Sequence, residues 1–552
     1  MVEARRPVRP VPSSLREHYL AQGWWSEDTL GSLVDRSLAG APEAEVHIWS
    51  ELRPWHGTYA DLRLESLQLV TALRKAGIEP GDAVAFQLPN WREAVVAFYG
   101  LAMGGYVLVP IVAIYGAKET RFILRESGAR AYVSADRYGH VDYVDIVDGA
   151  VPGALPDLAL HVVVGEGDAP EANTRIPRAY WDIVTAAKPA IEPTASDPDE
   201  VCVLAYTSGT TSDPKGVMHT HRTLLAEIPH IQGWITPGSP NLMGSPVTHA
   251  TGMLGAVLAP MALGEDIHLI DRWDPTRVLD VMLDADVGAG TGASVFLASL
   301  LDHPSFTPEH ARRIRRVGLG GAPVPRALAE RAGAAGIALI RAYGSTEHPS
   351  ITGCAFADPV VKRHSTDGRP MSGVEIRLLD TDDAPAPTGR PGEIWSRGPD
   401  LCVGYTDPAL TEKAFTADGW YRTGDMGVVD ADGFLTITDR LNDVIIRGGE
   451  NISAAEIEDA IATLPQIAEV AVVAAPDARL GEHVCAFVRP AENEVAPIEL
   501  RTITEHLERV GLARQKWPEE LHVVADFPRT PAGKVRKVDL RAQLRAATEA
   551  GV

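Results

Sequence analysis

A chain of 552 residues is too long for one compact core, so two or more domains are expected. Its hydrophobic fraction of 45% and charged fraction of 23% are typical of a soluble globular protein. The net charge of −23 argues against nucleic acid or an anionic membrane as a main partner. No run of 18 apolar residues and no secretory leader is seen, which excludes a membrane span and favours the cytoplasm.

Strand-like and helix-like segments alternate through the first two thirds of the chain. This alternation predicts mostly parallel sheets covered by helices. After Ser372, apolar residues recur with period two between Gly, Pro and Asp turns, which predicts a more antiparallel, barrel-like part. The predicted strands are 83–88, 106–110, 201–206, 266–271, 338–343, 374–379, 392–397 and 433–438, and a helix is predicted at about 93–103.

The last hundred or so residues read as a separate, compact unit of helices and strands. A helix is predicted to begin at Ser453, with Glu456 completing a capping box. The strands 470–473, 483–488 and 521–524 and a helix at about 498–510 follow. The expected domain boundary lies near Asn442.

The cysteines are far apart and show no Cys-x-x-Cys spacing. They are therefore predicted to be reduced core residues, with neither a zinc site nor a disulfide framework. The four are Cys202, Cys354, Cys402 and Cys485.

A hydroxyl-rich loop follows the buried-looking strand 201–206. Small residues let backbone N–H groups approach an anion, hydroxyls donate further hydrogen bonds, and a lysine supplies full charge. The loop lacks the Walker A spacing, so it predicts a polyphosphate cradle of another kind. The candidate residues are Thr207, Ser208, Gly209, Thr210, Thr211 and Lys215.

Three further motifs follow this loop in the chain: 318–323 (GLGGAP), 343–347 (YGSTE) and 420–425 (WYRTGD). A fourth, 528–534 (PRTPAGK), presents one lysine after a glycine turn. Together with the loop, these motifs resemble the adenylate-forming superfamily, which includes acyl-CoA synthetases, peptide-synthetase adenylation domains and firefly luciferase. The resemblance covers about residues 25 to 540, and chance agreement in order and spacing is very improbable.

The resemblance implies an α/β fold of two domains. Residues 1–441 would form the N-terminal adenylation domain, with helix-covered, mostly parallel sheets and a small barrel-like part. Residues 442–552 would form a small mobile α+β domain that hinges near Asn442 and carries the catalytic lysine. Ser212 and Asn442 depart from the usual family residues, and if position 212 needs φ > 0 a serine there costs roughly 1–2 kcal/mol.

The resemblance also implies ATP and Mg²⁺ as cofactors and assigns roles residue by residue. Thr346 would reach the α-phosphate, Glu347 would hold Mg²⁺, and Lys534 would bridge the substrate carboxylate and the α-phosphate. Asp425 would accept hydrogen bonds from the ribose hydroxyls, and Arg440 would add a ribose or phosphate contact. The adenine site would be formed by Gly320, Gly321, Ala322, Pro323, Tyr343 and Gly344.

The segment 246–249 (PVTH) resembles the one before the family's acyl pocket. Amino-acid-activating relatives carry an aspartate nearby, whereas residues 249–253 here contain no acid. An α-amino group buried there would lack a counter-charge, so we expect a hydrophobic acid without an α-amine: medium-chain, long-chain, alicyclic or aryl. His249 is either an aromatic-like gate of this pocket or a satisfied core histidine. The candidate substrate-binding residues are His249, Thr251, Gly252, Gly292 and Ser345.

The expected function is therefore that of an acyl-CoA synthetase, which forms an acyl-adenylate and then a thioester. Gly448 and Gly449 would leave room for a pantetheine arm after the small domain rotates. The sequence ends 18 residues after Lys534, which favours free coenzyme A as the acceptor. A ligase loading a separate carrier protein, a luciferase-like oxygenase and a degenerate nucleotide-binding homologue are the alternatives. The oligomeric state is open, with a homodimer one option.

Overall fold

The chain divides into two compact units. The computed structural model describes residues 7–165, 176–190, 192–207, 214–322, 324–380, 383–441, 443–447, 450–477, 479–491, 497–529 and 535–549. Of these, the first unit comprises residues 7–207, 214–376 and 396–421, and the second comprises residues 377–395 and those from 422 onward. Asn442 lies outside the described residues, so the domain boundary near it stays a prediction.

The strands of both units are numbered in chain order. They are β1 (Glu45–Trp49), β2 (Trp55–Thr58), β3 (Ala83–Gln87), β4 (Val107–Pro110), β5 (Ala131–Ala135), β6 (Arg137–Tyr138), β7 (Val141–Asp142), β8 (Leu160–Val164), β9 (Arg178–Tyr180), β10 (Val201–Thr207), β11 (Lys215–Thr220), β12 (Asn241–Met243), β13 (Ile267–Ile270), β14 (Gly288–Ala289), β15 (Arg316–Leu319), β16 (Ala338–Tyr343), β17 (Thr352–Gly353), β18 (Arg369–Pro370), β19 (Glu375–Leu379), β20 (Gly392–Arg397), β21 (Tyr421–Val429), β22 (Leu435–Arg440), β23 (Ile445–Arg447), β24 (Glu450–Ile452), β25 (Ile467–Asp477), β26 (Gly481–Pro490) and β27 (Glu520–Val523).

The α-helices are numbered in the same way, and a π-helical stretch (Met253–Leu258) and a 3₁₀ turn (Arg514–Lys516) accompany them. The helices are α1 (Ser13–Ala21), α2 (Leu30–Gly40), α3 (Tyr59–Lys75), α4 (Arg92–Met103), α5 (Ala117–Glu126), α6 (Tyr143–Asp148), α7 (Asp182–Thr185), α8 (His221–Gln232), α9 (Ala250–Gly252), α10 (Ala259–Leu263), α11 (Pro275–Asp284), α12 (Ser294–Leu301), α13 (Pro308–Ile314), α14 (Arg326–Ala334), α15 (Val360–Ser365), α16 (Pro408–Ala414), α17 (Ala454–Ile461), α18 (Leu500–Arg509) and α19 (Lys537–Glu549).

The central layer of the first unit is a seven-stranded sheet in the order β11-β10-β4-β3-β5-β8-β9. Its strands are parallel except for the β10–β11 pair, which is antiparallel. All residues of β3, β4 and β5 are buried, as expected for parallel strands covered on both faces. Helix α4 packs here with every residue from Glu93 to Met103 buried, and the charge of Glu93 is paired with Arg53 at 2.6 Å.

Two more large sheets and the two-stranded β6–β7 sheet also belong to the first unit. One has the order β14-β12-β13-β1-β2 and is parallel except for the β1–β2 pair. The other has the order β15-β16-β17-β18, in which only β15 and β16 are parallel. The carboxyl ends of β15 and β16 therefore lie at one edge, and this edge carries two of the predicted motifs.

The second unit contains the period-two part of the sequence. Strands β19-β20-β21-β22 form a four-stranded sheet in which β21 and β22 are antiparallel. Strands β24-β23-β26-β25, with β27 beside β26, form a second sheet. Ile445, Val472 and Val488 of this sheet belong to a buried apolar core, together with Ile457 of α17 and Ile503 of α18.

The sequence-predicted α/β fold is confirmed, and the predicted strands and helices form within a few residues of their expected bounds. The capping box at α17 is only half formed. The Ser453 side chain accepts from the backbone N–H of Glu456, but the Glu456 carboxylate pairs with Lys516 at 2.5 Å instead. A full cation attracts a carboxylate more strongly than a neutral amide N–H does, which explains the difference.

The four cysteines are free and buried, as predicted. Burial raises the pKa of the Cys402 thiol to about 12, so it stays protonated near neutral pH. Within the described part of the chain, none of the helices is both long and apolar enough to cross a bilayer.

Candidate functional site

The predicted phosphate loop connects two paired strands of the central sheet. Strand β10 ends at Thr207, and Thr207 pairs with Lys215 at the start of β11. This antiparallel pairing fixes both ends of the loop and places the lysine beside its first hydroxyl residue. The loop residues Ser208, Gly209, Thr210 and Thr211 lie outside the described residues, so their role stays a prediction.

Lys215, Tyr405 and Glu347 lie together, although they come from three distant segments. The Lys215 Nζ stands 5.9 Å from the centroid of the Tyr405 ring, and the Tyr405 hydroxyl donates to Glu347 Oε1 at 2.8 Å. Burial, reinforced by the Glu347 charge, raises the pKa of Tyr405, so its hydroxyl keeps its proton. Tyr405 therefore orients the carboxylate predicted to hold Mg²⁺ and faces the predicted phosphate-binding lysine.

The backbone of Thr346 is held by a buried histidine of β11. His219 Nε2 donates to the Thr346 carbonyl at 2.8 Å, while its Nδ1 meets the Thr223 hydroxyl at 3.1 Å. Burial lowers the pKa of His219, which favours the neutral ring. A carbonyl can only accept, so the proton lies on Nε2 and the ring is locked in one tautomer.

The loop that carries Thr346 and Glu347 folds tightly back on itself. The Ser345 N–H donates to the His348 carbonyl at 2.9 Å, and the His348 N–H donates to the Ser345 hydroxyl. A Cβ at Gly344 would lie 1.8 Å from the Pro349 carbonyl oxygen, so only glycine fits there. The structure thus gives Gly344 and Ser345 a part in shaping this loop.

The candidate adenine-binding residues gather at the edge where β15 and β16 end. Gly320, Gly321 and Ala322 follow β15, and Tyr343 ends the parallel neighbour β16 with its side chain largely buried. A Cβ at Gly320 would lie 2.9 Å from the Ala342 carbonyl oxygen, which shows how closely the two backbones approach. Pro323 lies outside the described residues.

The candidate acyl-pocket residues meet the same edge. The Gly292 N–H donates to the Gly318 carbonyl, and the Gly320 N–H donates to the Gly292 carbonyl, both at 3.0 Å. A Cβ at Gly321 would be 4.0 Å from the Thr251 hydroxyl oxygen. The structure therefore brings Gly292, Thr251 and the predicted adenine-binding strand end together.

His249 and Gly252 lie at the two ends of the short helix α9. His249 is exposed, so the core-histidine reading is wrong, and its Nδ1 accepts weakly from the Thr251 N–H at 3.4 Å. Gly252 is buried, and a Cβ there would overlap the Pro246 carbonyl at 1.9 Å. Asn90 anchors the preceding segment, since its side chain donates to the Ser245 carbonyl and accepts from the Val247 N–H.

A buried network of polar and ionisable side chains lies behind the Thr346–Glu347 loop. Its links are Ser350 to Glu227, Glu227 to His230 at 3.3 Å, and His348 to Asp400 at 3.1 Å. His348 also meets the Ser396 hydroxyl at 2.8 Å. The network ties the loop to helix α8 and to the turn after β20, and we define these residues as the buried network: Glu227, His230, His348, Ser350 and Asp400.

Opposed charges set the pKa values inside the buried network. Burial alone would raise the pKa of Asp400, but the charge of His348 and its hydrogen bond lower it to about 2. Burial raises the pKa of Glu227 to about 7, against the hydrogen bond from His230. Burial would lower the pKa of His230, but Glu227 and the charge of Asp400 raise it to about 9.

Two further candidates belong to the second unit. Asp425 and Arg440 face each other across β21 and β22, and the arginine Nε lies 3.1 Å from Asp425 Oδ1. Asp425 is buried and Arg440 is exposed, so the ion pair positions a carboxylate that keeps limited access to solvent. Lys534, Gly448 and Gly449 lie outside the described residues, and their roles stay predictions.

Sequence reasoning did not identify several of the residues that shape this site: His219, Tyr405, Asn90 and the buried network. His219 lies in β11, where Met218 next to it is buried as well, so no alternation in the sequence could have singled it out. Tyr405 lies in the segment after β20. Its role is seen only from its hydrogen bond to Glu347, which is 58 residues away along the chain.

Comparison with known proteins agrees with this geometry. The AMP-binding enzyme family model matches residues 34–406, and the model of the AMP-binding enzyme C-terminal domain matches residues 456–534. The chain is 31% identical to the medium-chain fatty-acid–CoA ligase of Escherichia coli over 532 residues, which covers 95% of this chain and 92% of that protein.

Two further matches point the same way. The chain is 34% identical over 501 residues to a Rhodococcus jostii CoA ligase for a propanoyl group bearing a methyl-dioxo-octahydroindenyl ring, covering 88% of this chain and 93% of that protein. The structure of ATP-bound MatB from Rhodopseudomonas palustris superposes with a TM-score of 0.80 at 26% identity, over 94% of this chain and 99% of that one.

The family model alone spans well over half of the chain, and the relatives align with it almost from end to end. The expectation of an AMP-forming acid–thiol ligase is confirmed at this level. The chain belongs to the AMP-binding enzyme family, in the acyl-CoA ligase branch of the adenylate-forming superfamily.

Proposed function

We propose that this chain adenylates a hydrophobic carboxylic acid that lacks an α-amino group and transfers the acyl group to coenzyme A. ATP and coenzyme A are its co-substrates, Mg²⁺ is its metal, and AMP and pyrophosphate are released. The observation that carries the proposal is that Gly320 hydrogen-bonds to Gly292 and that Gly321 lies next to Thr251, so that the predicted acyl segment adjoins the predicted nucleotide edge.

The residues around Glu347 fit the adenylation half-reaction. Glu347 offers a carboxylate oxygen, the ligand type that Mg²⁺ prefers, and Tyr405 holds that carboxylate in place. Mg²⁺ would offset phosphate charge as pyrophosphate leaves. Lys215 would supply a cation, and Thr346, whose carbonyl is held by His219, would offer its hydroxyl to the α-phosphate. Such groups accelerate phosphoryl chemistry by stabilising charge that develops in the transition state.

The segment that begins at His249 favours an acid without an α-amine. Residues 249–255 contain only His, Ala, Thr, Gly, Met and Leu, and so offer no carboxylate to pair with an ammonium group. A buried ammonium group without a partner is costly. An amino acid would leave its ammonium group unpaired in this pocket, so the pocket favours acids that lack one. The relatives named for medium-chain and alicyclic acids support a hydrophobic acyl group.

The first prediction concerns the choice of acid. Medium-chain, long-chain, alicyclic and aryl acids should drive ATP-dependent pyrophosphate release, whereas the α-amino analogue of each should be at least ~10²-fold poorer in kcat/KM. Pyrophosphate release is measured over the panel with and without coenzyme A. Each amino analogue is matched in chain length to its acid, so that only the ammonium group differs.

The outcomes of this panel separate the alternatives. An amino acid that is the best substrate would overturn the assignment of the pocket. Adenylate formation without any coenzyme A thioester would favour the carrier-protein ligase, and oxygen uptake with light would favour the luciferase-like enzyme. If none of the acids drives pyrophosphate release, the chain would be a nucleotide-binding homologue without ligase activity.

The second prediction concerns the thiol. Two adjacent glycines, Gly448 and Gly449, follow the strand β23. Glycine loses the most backbone entropy on folding, so two in a row are costly. A close approach of the pantetheine arm to the backbone would explain them. In Gly449→Leu, the bulky side chain should block the pantetheine arm and slow acyl transfer to coenzyme A at least ~10-fold, while adenylation stays near wild type. Single-turnover measurements of both half-reactions test this.

Gly511 provides the control for Gly449→Leu, because it is a turn glycine in the same part of the chain with φ = +80° and nothing near its Cβ position. Gly511→Asn should leave both half-reactions unchanged, since asparagine tolerates that backbone conformation. If Gly449→Leu slows adenylation as much as transfer, Gly449 is only a turn residue.

A further inference from the structure

Three histidines, none of them assigned a role above, form a row across one sheet of the first unit. His47 lies at the centre of β1, where it is paired with His56 of the edge strand β2 and with His268 of β13. Successive side chains of β1 point to opposite faces of the sheet. Val46 and Ile48 therefore point into the core. The other face carries Glu45, His47 and Trp49. The register therefore places two imidazoles and a carboxylate side by side at the sheet edge.

The donor atoms of Glu45, His47 and His56 lie close together. His47 Nε2 lies 2.9 Å and His56 Nε2 lies 3.5 Å from the same oxygen, Glu45 Oε2. Each of the three donor atoms is within 4.8 Å of the other two. Zinc bonds to nitrogen and oxygen of about 2.0–2.2 Å place neighbouring tetrahedral ligands roughly 3.3 Å apart, so the observed separations bracket the value that a shared ion requires.

The rings of His47, His56 and His268 lie face to face, so His47 and His56 must each turn about χ2 to direct an Nε2 lone pair at a shared ion. The His47 ring lies 4.1 Å from the His56 ring and 4.5 Å from the His268 ring, with interplanar angles of 15° and 7°. His268 is buried, and its Nδ1 accepts from the Trp49 indole N–H at 3.3 Å. His268 therefore serves as the backing of the stack, and only His47 and His56 turn a nitrogen toward Glu45.

The site is open to solvent on its outer side. The side chains of Glu45 and His56 are 52% and 59% exposed, and that of His47 is 21% exposed. The charged group next to it is Asp266, whose carboxylate accepts from the Glu45 N–H at 2.7 Å and adds negative charge. A bound ion would thus have three protein ligands, a favourable field, and positions left for water.

We propose that Glu45 Oε2, His47 Nε2 and His56 Nε2 form a binding site for a divalent transition-metal ion, with Zn²⁺ the best match. Imidazole with a carboxylate suits Zn²⁺, Cu²⁺ and Ni²⁺, whereas Mg²⁺ and Ca²⁺ prefer an all-oxygen set. The site is separate from the Mg²⁺ position proposed at Glu347, and the two differ in ligand chemistry.

Calorimetric titration of the full chain with ZnCl₂, in saturating Mg²⁺ to occupy sites that prefer oxygen, tests the proposal. One saturable Zn²⁺ site is expected, and His56→Gln and Glu45→Gln should each weaken it at least ~10-fold, because loss of even an outer-shell partner costs 10- to 100-fold. Co²⁺ provides a second readout, since its visible absorption bands should appear in the wild type and be lost in both variants.

The matched controls are His140→Gln, an exposed histidine outside the cluster, and Glu347→Gln, which removes the proposed Mg²⁺ ligand. Both should bind Zn²⁺ like the wild type. His56→Gln should keep wild-type acid-dependent pyrophosphate release, which also shows that it folds. Zn²⁺ binding that is absent from the wild type, or unchanged in His56→Gln and Glu45→Gln, would show that these side chains form an ion pair only and overturn the proposal.

Discussion

Replacing Lys534 with alanine is expected to lower acyl-adenylate formation by at least ~10²-fold, in line with the loss of one transition-state charge contact. Thioester formation from supplied acyl-adenylate should remain near wild type, because the lysine would leave the site before the thiol enters. The described residues on either side of it are held in place: Arg529 and Val535 form an antiparallel bridge, and Arg529 pairs with Glu469 at 2.6 Å.

The two half-reactions must be measured separately for this test. Pyrophosphate exchange reports adenylation, and rapid mixing of enzyme-bound acyl-adenylate with coenzyme A reports transfer. Lys516→Ala is the matched control, because Lys516 is another lysine of the second unit and pairs with Glu456 rather than with a predicted substrate. Equal losses of adenylation and transfer in Lys534→Ala would contradict the assignment, as would a loss of adenylation in Lys516→Ala.

Local sequence patterns were sufficient for most of the secondary structure. The apolar runs at 83–88 and 201–206 form buried strands, because their composition matches a sheet covered on both faces. The alternation at 433–438 likewise corresponds to β22. The capping box at Ser453 was the kind of detail that sequence misjudges, since the competing partner, Lys516, is 60 residues away from Glu456.

Motif spacing located part of the candidate site but not the residues that hold Thr346 and Glu347 in place. The glycines after β15 were assigned to the adenine site and Gly292 to the substrate site, and backbone hydrogen bonds join the two segments. The supports of Thr346 and Glu347 come from His219 and Tyr405, which are 127 and 58 residues distant. Such contacts arise only when sheets pack, and no period or spacing in the chain encodes them.

The buried network leads to the second large expected effect. Asp400→Asn should lower the free energy of unfolding by about 3–5 kcal/mol, since removing the carboxylate deprives the buried His348 ring of its charged partner. The Asp400 carboxylate and the His348 ring are both fully buried, so water cannot replace the lost partner. Urea unfolding followed by tryptophan fluorescence measures the change, with Asp302→Asn as the control.

Asp302 makes a comparable pair at the surface, with Arg331 at 2.5 Å, and the side chains of Arg331 and Asp302 are 48% and 64% exposed. Because solvent screens exposed pairs, Asp302→Asn should cost no more than about 1 kcal/mol. The double variant Asp400→Asn/His348→Gln should cost less than the sum of the two single changes, because it removes both members of the pair. Additive losses would show that the two side chains do not interact.

The pH dependence of the free energy of unfolding shows whether the charge of Asp400 stabilises the protein. Burial alone would raise the pKa of Asp400, but His348 outweighs that cost and lowers it from its ordinary 3.8 to about 2. A carboxyl group whose pKa falls on folding adds stability above its unfolded pKa and loses it as the pH falls through the folded value. The difference between wild type and Asp400→Asn should therefore persist at pH values above 3.8 and shrink as the pH falls toward 2. A difference that is the same at low pH would mean that the packing of the side chain, rather than its charge, stabilises the loop behind Thr346.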